Sequence, residues 1–482
     1  MIKKRLLLTI VIMLCITTYV SAKSFPNYIY NSWMEPVEIP APYRFVKMIS
    51  GQTLGLQKFS KPTDIFLSDK KELYILDSGS NKVIVLDKDF NLSREINGFT
   101  KDGAAVNLKD ATGIFVDKED DIFIADKGSN YAFRCNQLGE ILSEYKRPVT
   151  ELFPSDIKFS PSKILKDSMS NVYVLSEGLH YGAVIYDDNS EFSGFYGSNN
   201  VKITPELLVN YFWKKIMTDD QKAQLPRYIP ISYTNMCIDE KNFVYTCTES
   251  GVRKLNPGGE DVLRSKPGTF YGDATIIWEK GKAVKTVFAD IDVETNGIIT
   301  VLDSTRGRVF QYDSESNLLF AFGGIGTQQG TYKKPAAIAV KDGLIMVLDS
   351  GKCTISVFEP TDFGNNVRNA VILHNSGRFN EAMGPWEQVI KADTNFEIAY
   401  TGIGKALYNL GDFKKSMEYF KLSNDRYNYS LSKKEYRKNL MRDNFGVLAT
   451  SVLLIFIAIV LIKVINRFRK RFNYRGDDRH DA

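Results

Sequence analysis

Histidine is scarce in this 482-residue chain: there are three, at positions 180, 374 and 480. A metal centre or general-base apparatus assembled from several imidazoles therefore has no material to draw on. Excess charge is lacking too. A formal net charge of +5, partly owed to a basic C-terminal tail, argues against a nucleic-acid surface. No G-x-S-x-G elbow occurs, and "GGIGTQQG" (323–330) lacks the Lys-Ser/Thr end of a phosphate loop, leaving it as a linker. Of five cysteines, Cys237 and Cys247 fall on consecutive strands of one expected hairpin. A bridge is geometrically open to them, but packing as small buried hydrophobes is the expectation.

What the chain does have is one hairpin written several times. "LYILDSGSNKVIVLD" (73–87) returns as "ITVLDSTRGRVFQYD" (299–313) and "IMVLDSGKCTISVFE" (345–359). Alignment on the residue that closes the first run finds six copies, at Asp77, Asp126, Ser176, Thr248, Asp303 and Asp349. The intervals are 49, 50, 72, 55 and 46 residues. A period near 45–50 with several short strands per copy marks a β-propeller, because one four-stranded sheet cannot cover both its faces and must stack on like neighbours. Six copies imply six blades. The last copy lacks an outer strand, and "YRFVKMISG" (43–51) has the strand character to supply it and close the ring.

The 72-residue interval holds an insertion at 198–230 that reads as helical, with Thr204 and "TDDQ" (218–221) as caps. Its aromatic run Tyr211, Phe212 and Trp213 is the candidate surface for a ligand or partner, covering the channel mouth or facing outward. The plainer reading is a helical plug on the blades. The repeat aspartates have two readings as well: a ring binding a cation or polyol, or acceptors of turn N–H groups. The second is favoured, because Ser176 and Thr248 could make the same bonds but would be poor metal ligands.

After residue 363 the pattern turns helical. "SGRFNEAMGPWEQVIKADTN" (376–395) and "LGDFKKSMEYFKLSND" (410–425) align at a 34-residue offset, Trp386 with Phe420, in the tetratricopeptide manner. "SKKE" (432–435) reads as the cap of a linking helix. At the ends, "MIKKRLLLTIVIMLCITTYVSA" reads as a signal peptide, an uncleaved anchor being the alternative. Phe445–Ile462 is an uncharged run long enough to span a bilayer, followed by a basic tail.

The hairpins, with starts such as "FSKPTDI" and "TYKKPAAI", resemble NHL-repeat propellers, and the whole chain resembles bacterial membrane-anchored proteins joining such a propeller to tetratricopeptide repeats. The expected organisation is mainly β: signal peptide (1–22), six-bladed NHL-type β-propeller (43–360, insertion 198–230) and a small all-α tetratricopeptide domain (363–430). A linking helix (432–444), a transmembrane helix (445–462) and a basic cytoplasmic tail (463–482) follow. The signal would place the bulk of the chain outside the cytoplasm. The expected role is a non-catalytic binding or scaffolding protein needing no cofactor. Its propeller face would hold a saccharide, a peptide or an envelope component, and its repeats would dock a protein partner at the membrane. The resemblance loosely implies a link to a transport complex. The competing class is a calcium-dependent propeller hydrolase or lactonase, with calcium held by carboxylates and amides.

Overall fold

The computed structural model describes residues 27–153, 157–198, 232–248, 251–265, 269–274, 277–279 and 282–477. The signal segment 1–22 lies outside them, as does the insertion except Ser198, and with it Tyr211, Phe212 and Trp213.

Six antiparallel sheets form a six-bladed β-propeller, each blade packing its innermost strand against that of the next. Blade 1 runs Pro62–Leu67, Leu73–Asp77, Lys82–Leu86 and Leu92–Asn97. Blades 2 and 3 repeat this from Ala111–Val116 to Ile141–Tyr145 and from Pro161–Lys166 to Phe192–Tyr196. Blade 4 has three strands, Asn235–Ile238 to Val252–Leu255, with one bridge from Leu255 to Asp261 beyond them. Blade 5 spans Phe288–Val293 to Leu318–Phe322, and blade 6 spans Pro335–Lys341 to Thr354–Pro360. Second strands such as Leu73–Asp77 and Ile122–Asp126 are buried at every residue, so they read as unbroken apolar runs rather than alternating ones.

Tyr43–Ile49 pairs antiparallel with Thr354–Pro360 and completes blade 6 from the other end of the ring, the closure that the strand character of 43–51 suggested. A second N-terminal addition was not foreseen. The hairpin of Tyr28–Tyr30 and Pro36–Glu38 extends blade 5 outward, Tyr28 opposite Ala321. The Tyr28 and Tyr30 hydroxyls donate to Asp273 Oδ1 at 2.9 and 2.6 Å, and Arg306 pairs with the other oxygen at 2.5 Å.

Six helices follow: α1 (Asp362–Asn375), α2 (Phe379–Ala392), α3 (Glu397–Asn409), α4 (Phe413–Leu422), α5 (Arg426–Asp443) and α6 (Phe445–Asp477). The first five stack in chain order. Trp386 and Phe420, the aligned aromatics, are 3% and 1% exposed and press on glycines of α3. A Cβ at Gly402 would lie 2.3 Å from Trp386 Nε1, and one at Gly404 would lie 2.7 Å from Phe420 Cε1. The linking helix begins at 426 rather than 432, because Asp425 caps it by accepting from Asn428 N at 3.0 Å. Ser432 is instead buried within α5 against Ser416.

One apolar core joins the two parts. Phe363, Val367 and Val371 of α1 belong to the same buried cluster as Tyr43, Ile338 and Val340 of the propeller. At its edge Arg368 forks onto Glu294 at 2.7 and 2.8 Å, both side chains buried, and α1 is thereby fixed over one rim of the disc. The 26 residues Phe445–Lys470 of α6, headed by the uncharged apolar run to Ile462, are unburied and form a candidate span. At 1.5 Å per residue they reach ~39 Å, enough to cross a ~30 Å hydrocarbon layer.

Candidate functional site

The repeat aspartates bind no open face. Asp77, Asp126, Asp303 and Asp349 are 0–2% exposed and tie the end of each second strand to the loop entering the first. Asp77 accepts from Ser60 N and Lys61 N at 2.9 and 2.7 Å, Asp126 from Lys109 N and Asp110 N at 2.9 and 2.8 Å. Asp349 accepts from Lys333 N and Lys334 N, and also from the turn N–H groups of Gly351 and Lys352. Ser176 makes one equivalent bond, from Ser160 N at 2.8 Å. The turn role expected of these residues holds, with the tie to the entry loop added to it.

The chemistry gathers on the innermost strands, around a cavity of about 610 Å³ in the central channel. Its deepest ring takes one residue per blade, each opposite the residue before the repeat position: Asp64, Gly113, Lys163, Asn235, Asp290 and Ala337. Lys163 Nζ is 2.7 Å from Asp64 and 4.0 Å from Asp290. Each carboxylate also accepts from the exposed strand edge of the following blade, Asp64 from Ile114 N at 2.9 Å and Asp290 from Ile338 N at 2.7 Å. These bonds satisfy channel-facing N–H groups that no further strand can reach. Burial pushes the Asp64 carboxyl up and lifts Asp290 to about 7, Lys163 opposing both shifts. Burial also disfavours the Lys163 ammonium, but Asp290 and Asp64 outweigh it and hold the lysine above its ordinary value.

Two residues along each strand lies a second ring: Phe66, Phe115, Leu165, Cys237, Asp292 and Ala339. Asp292 is its one charged member. Asp292 accepts from Val340 N at 2.6 Å and Val293 N at 2.8 Å, and burial raises its carboxyl to about 7. The third ring includes Asp117, Asp167 and Asp239, whose carboxylates cap the turns between first and second strands. α1 overhangs this end, placing Asn365, Asn369 and Ile372 on the cavity wall. A smaller cavity of about 360 Å³ separates α1, α3 and α5 from Arg264 and Glu315 of the propeller.

The insertion leaves from the opposite rim. It joins the end of a fourth strand at Tyr196 to the start of a first strand at Asn235, whereas the mouth lies where first strands end. Cys237 and Cys247 are free, as expected of packed cysteines. Asp64, Lys163, Asp290 and Asp292 escaped the sequence reading, although "PTDIF" and "PSKIL" each set one charge, and "FADIDVE" three, among the apolar residues of a strand. The deepest ring does not suit a resident calcium: Asp64 and Asp290 already face an ammonium. Among the described residues, no three or more His, Cys, Asp or Glu form a group that could hold a metal ion.

No known family model and no curated protein matches the chain. Among solved structures it is similar to virginiamycin B lyase from Staphylococcus aureus, at 12% identity over 66% of this chain and 99% of that one, with a TM-score of 0.40. It is also similar to a gluconolactonase from Xanthomonas campestris, at 10% identity over 69% and 97%, TM-score 0.37. A protein of unknown function from Bacteroides thetaiotaomicron gives 10% identity over 70% and 76%, TM-score 0.41.

Proposed function

We propose that this is a membrane-anchored binding protein, its propeller and helical stack outside the cytoplasm and its ligand site at the channel mouth. The observation behind this reading is the 610 Å³ cavity walled jointly by the propeller and α1. A concave site between two domains, with convergent polar groups over an apolar wall, is the usual setting for a small ligand. The helical stack reads as two tetratricopeptide repeats with α5 as their capping element, supported by the Gly402–Trp386 and Gly404–Phe420 contacts. Its smaller cavity is the place for a protein partner. Tyr211, Phe212 and Trp213 belong in this reading to a partner surface near the other rim, where the insertion's ends lie.

The test is a thermal-shift screen of the full chain in detergent against saccharides, amines and short peptides, repeated on Asn369→Trp. Asn369 is exposed on α1, so the indole adds bulk over the mouth without disturbing the core. Ligands found with the wild type should lose at least about tenfold in affinity in this variant. Ligands that bind both proteins equally would move the site elsewhere.

A further inference from the structure

We propose that the second ring of the channel recognises an organic ammonium group, with Asp292 as counter-ion and Phe115 and Phe66 as its apolar wall. This rests on the channel mouth being the ligand site, and it names what the site takes.

The three rings treat their acids differently. In the deepest ring the protein supplies its own ammonium, Lys163, to Asp64 and Asp290. In the outermost, Asp117, Asp167 and Asp239 are occupied in capping turns, and Asp117 also pairs with Lys166 at 2.7 Å. Asp292 has the same backbone bonds as Asp290 but no ion pair among the described residues. The position that gives Lys163 in the deepest ring gives Leu165 here. Each Asp292 oxygen accepts one N–H bond and keeps a lone pair for another donor.

The surroundings select the donor. Blades are adjacent in chain order, so blade 5 lies opposite blade 2, and Asp292 and Phe115 occupy the same level of the channel on opposite sides. Phe66 packs on Phe115 with centroids 5.0 Å apart, and both rings border the cavity. A carboxylate across a narrow channel from aromatic rings suits an alkylammonium, whose charge meets the acid and whose carbon body meets the rings. A strongly hydrated metal ion would find one carboxylate at this level, beside Cys237 and apolar side chains, and among the described residues no group of three or more His, Cys, Asp or Glu to hold it. The cavity as a whole draws cations inward, its lining holding eleven carboxylates against five lysine and arginine side chains.

Butylammonium and its neutral counterpart butanol test this by calorimetry on the full chain in detergent. Butylammonium should bind saturably, and butanol should bind at least about tenfold more weakly. Asp292→Asn should cost butylammonium at least about tenfold, with the fold checked by circular dichroism. Phe115→Leu, close in volume, keeps the question open to experiment should the Asn variant fail to fold, and it should narrow the preference for butylammonium over butanol. Equal binding of the two probes by the wild type, no binding of butylammonium, or an affinity indifferent to Asp292→Asn would overturn the proposal. A neutral ligand lost in Asn369→Trp but indifferent to Asp292→Asn would also overturn it, while leaving the mouth as the binding site.

Discussion

The repeat aspartate shows how much one residue can hold. Asp349 is fully buried and accepts four backbone N–H bonds, so alanine there strands several buried donors at once. Asp349→Ala should destabilise the propeller by ~2–4 kcal/mol, against ~1 kcal/mol for Ser176→Ala, which loses a single bond. Equilibrium denaturation of the two variants measures the difference, and equal losses would refute this account of the repeat position. The role was legible beforehand because Asp before "SGS" or "KGS" is turn chemistry. The acids of the channel were not. A strand pattern tells buried from exposed, but not which residues of an innermost strand look into a channel, and "PTDIF" differs from "YKKPAAI" by a charge whose partners, Ile114 N–H and the Lys163 ammonium, are 50 and 99 residues away.

Elements with a repeat behind them were readable, and the ones that went unread had none. Six copies established six blades, and the unpaired last blade pointed to Tyr43–Ile49. The hairpin at Tyr28–Glu38 has strands of three residues, too short for a period, and its seat depends on Asp273 and Arg306 far along the chain. α5 began earlier than expected because two cap sequences compete within seven residues, and the buried Ser416–Ser432 contact requires the longer helix. In α3, propensity and packing pull apart at Gly402. Alanine would gain ~1 kcal/mol of helix propensity, but its Cβ falls on the Trp386 ring, and overpacking costs typically ~1–3 kcal/mol. Gly402→Ala should therefore destabilise the helical stack, and Trp386→Leu in the same chain should recover part of the loss. A thermal melt in which Gly402→Ala alone is stabilised would show that Trp386 has room to move.

At the scale of the whole molecule, propeller and helices behave as one body, since α1 shares a core with blades 5 and 6 and forks Arg368 onto Glu294. On the proposed topology, protease added outside intact cells should degrade the propeller and spare the basic tail 463–482; a protected propeller would reverse the orientation. The ring's closure has a mechanical side. The polypeptide passes from Thr354–Pro360 directly into α1 and onward to the apolar α6, so on that topology a pull from a membrane-embedded α6 would reach the disc through α1 and this strand. Thr354–Pro360 is held on one side by Leu344–Asp349 and on the other by Tyr43–Ile49. Because ladder bonds lie across the strand, such a pull loads them together in shear instead of peeling them one at a time. On that topology the seam that joins the two ends of the propeller would also be its tether point, the place where a pull from the membrane would be borne.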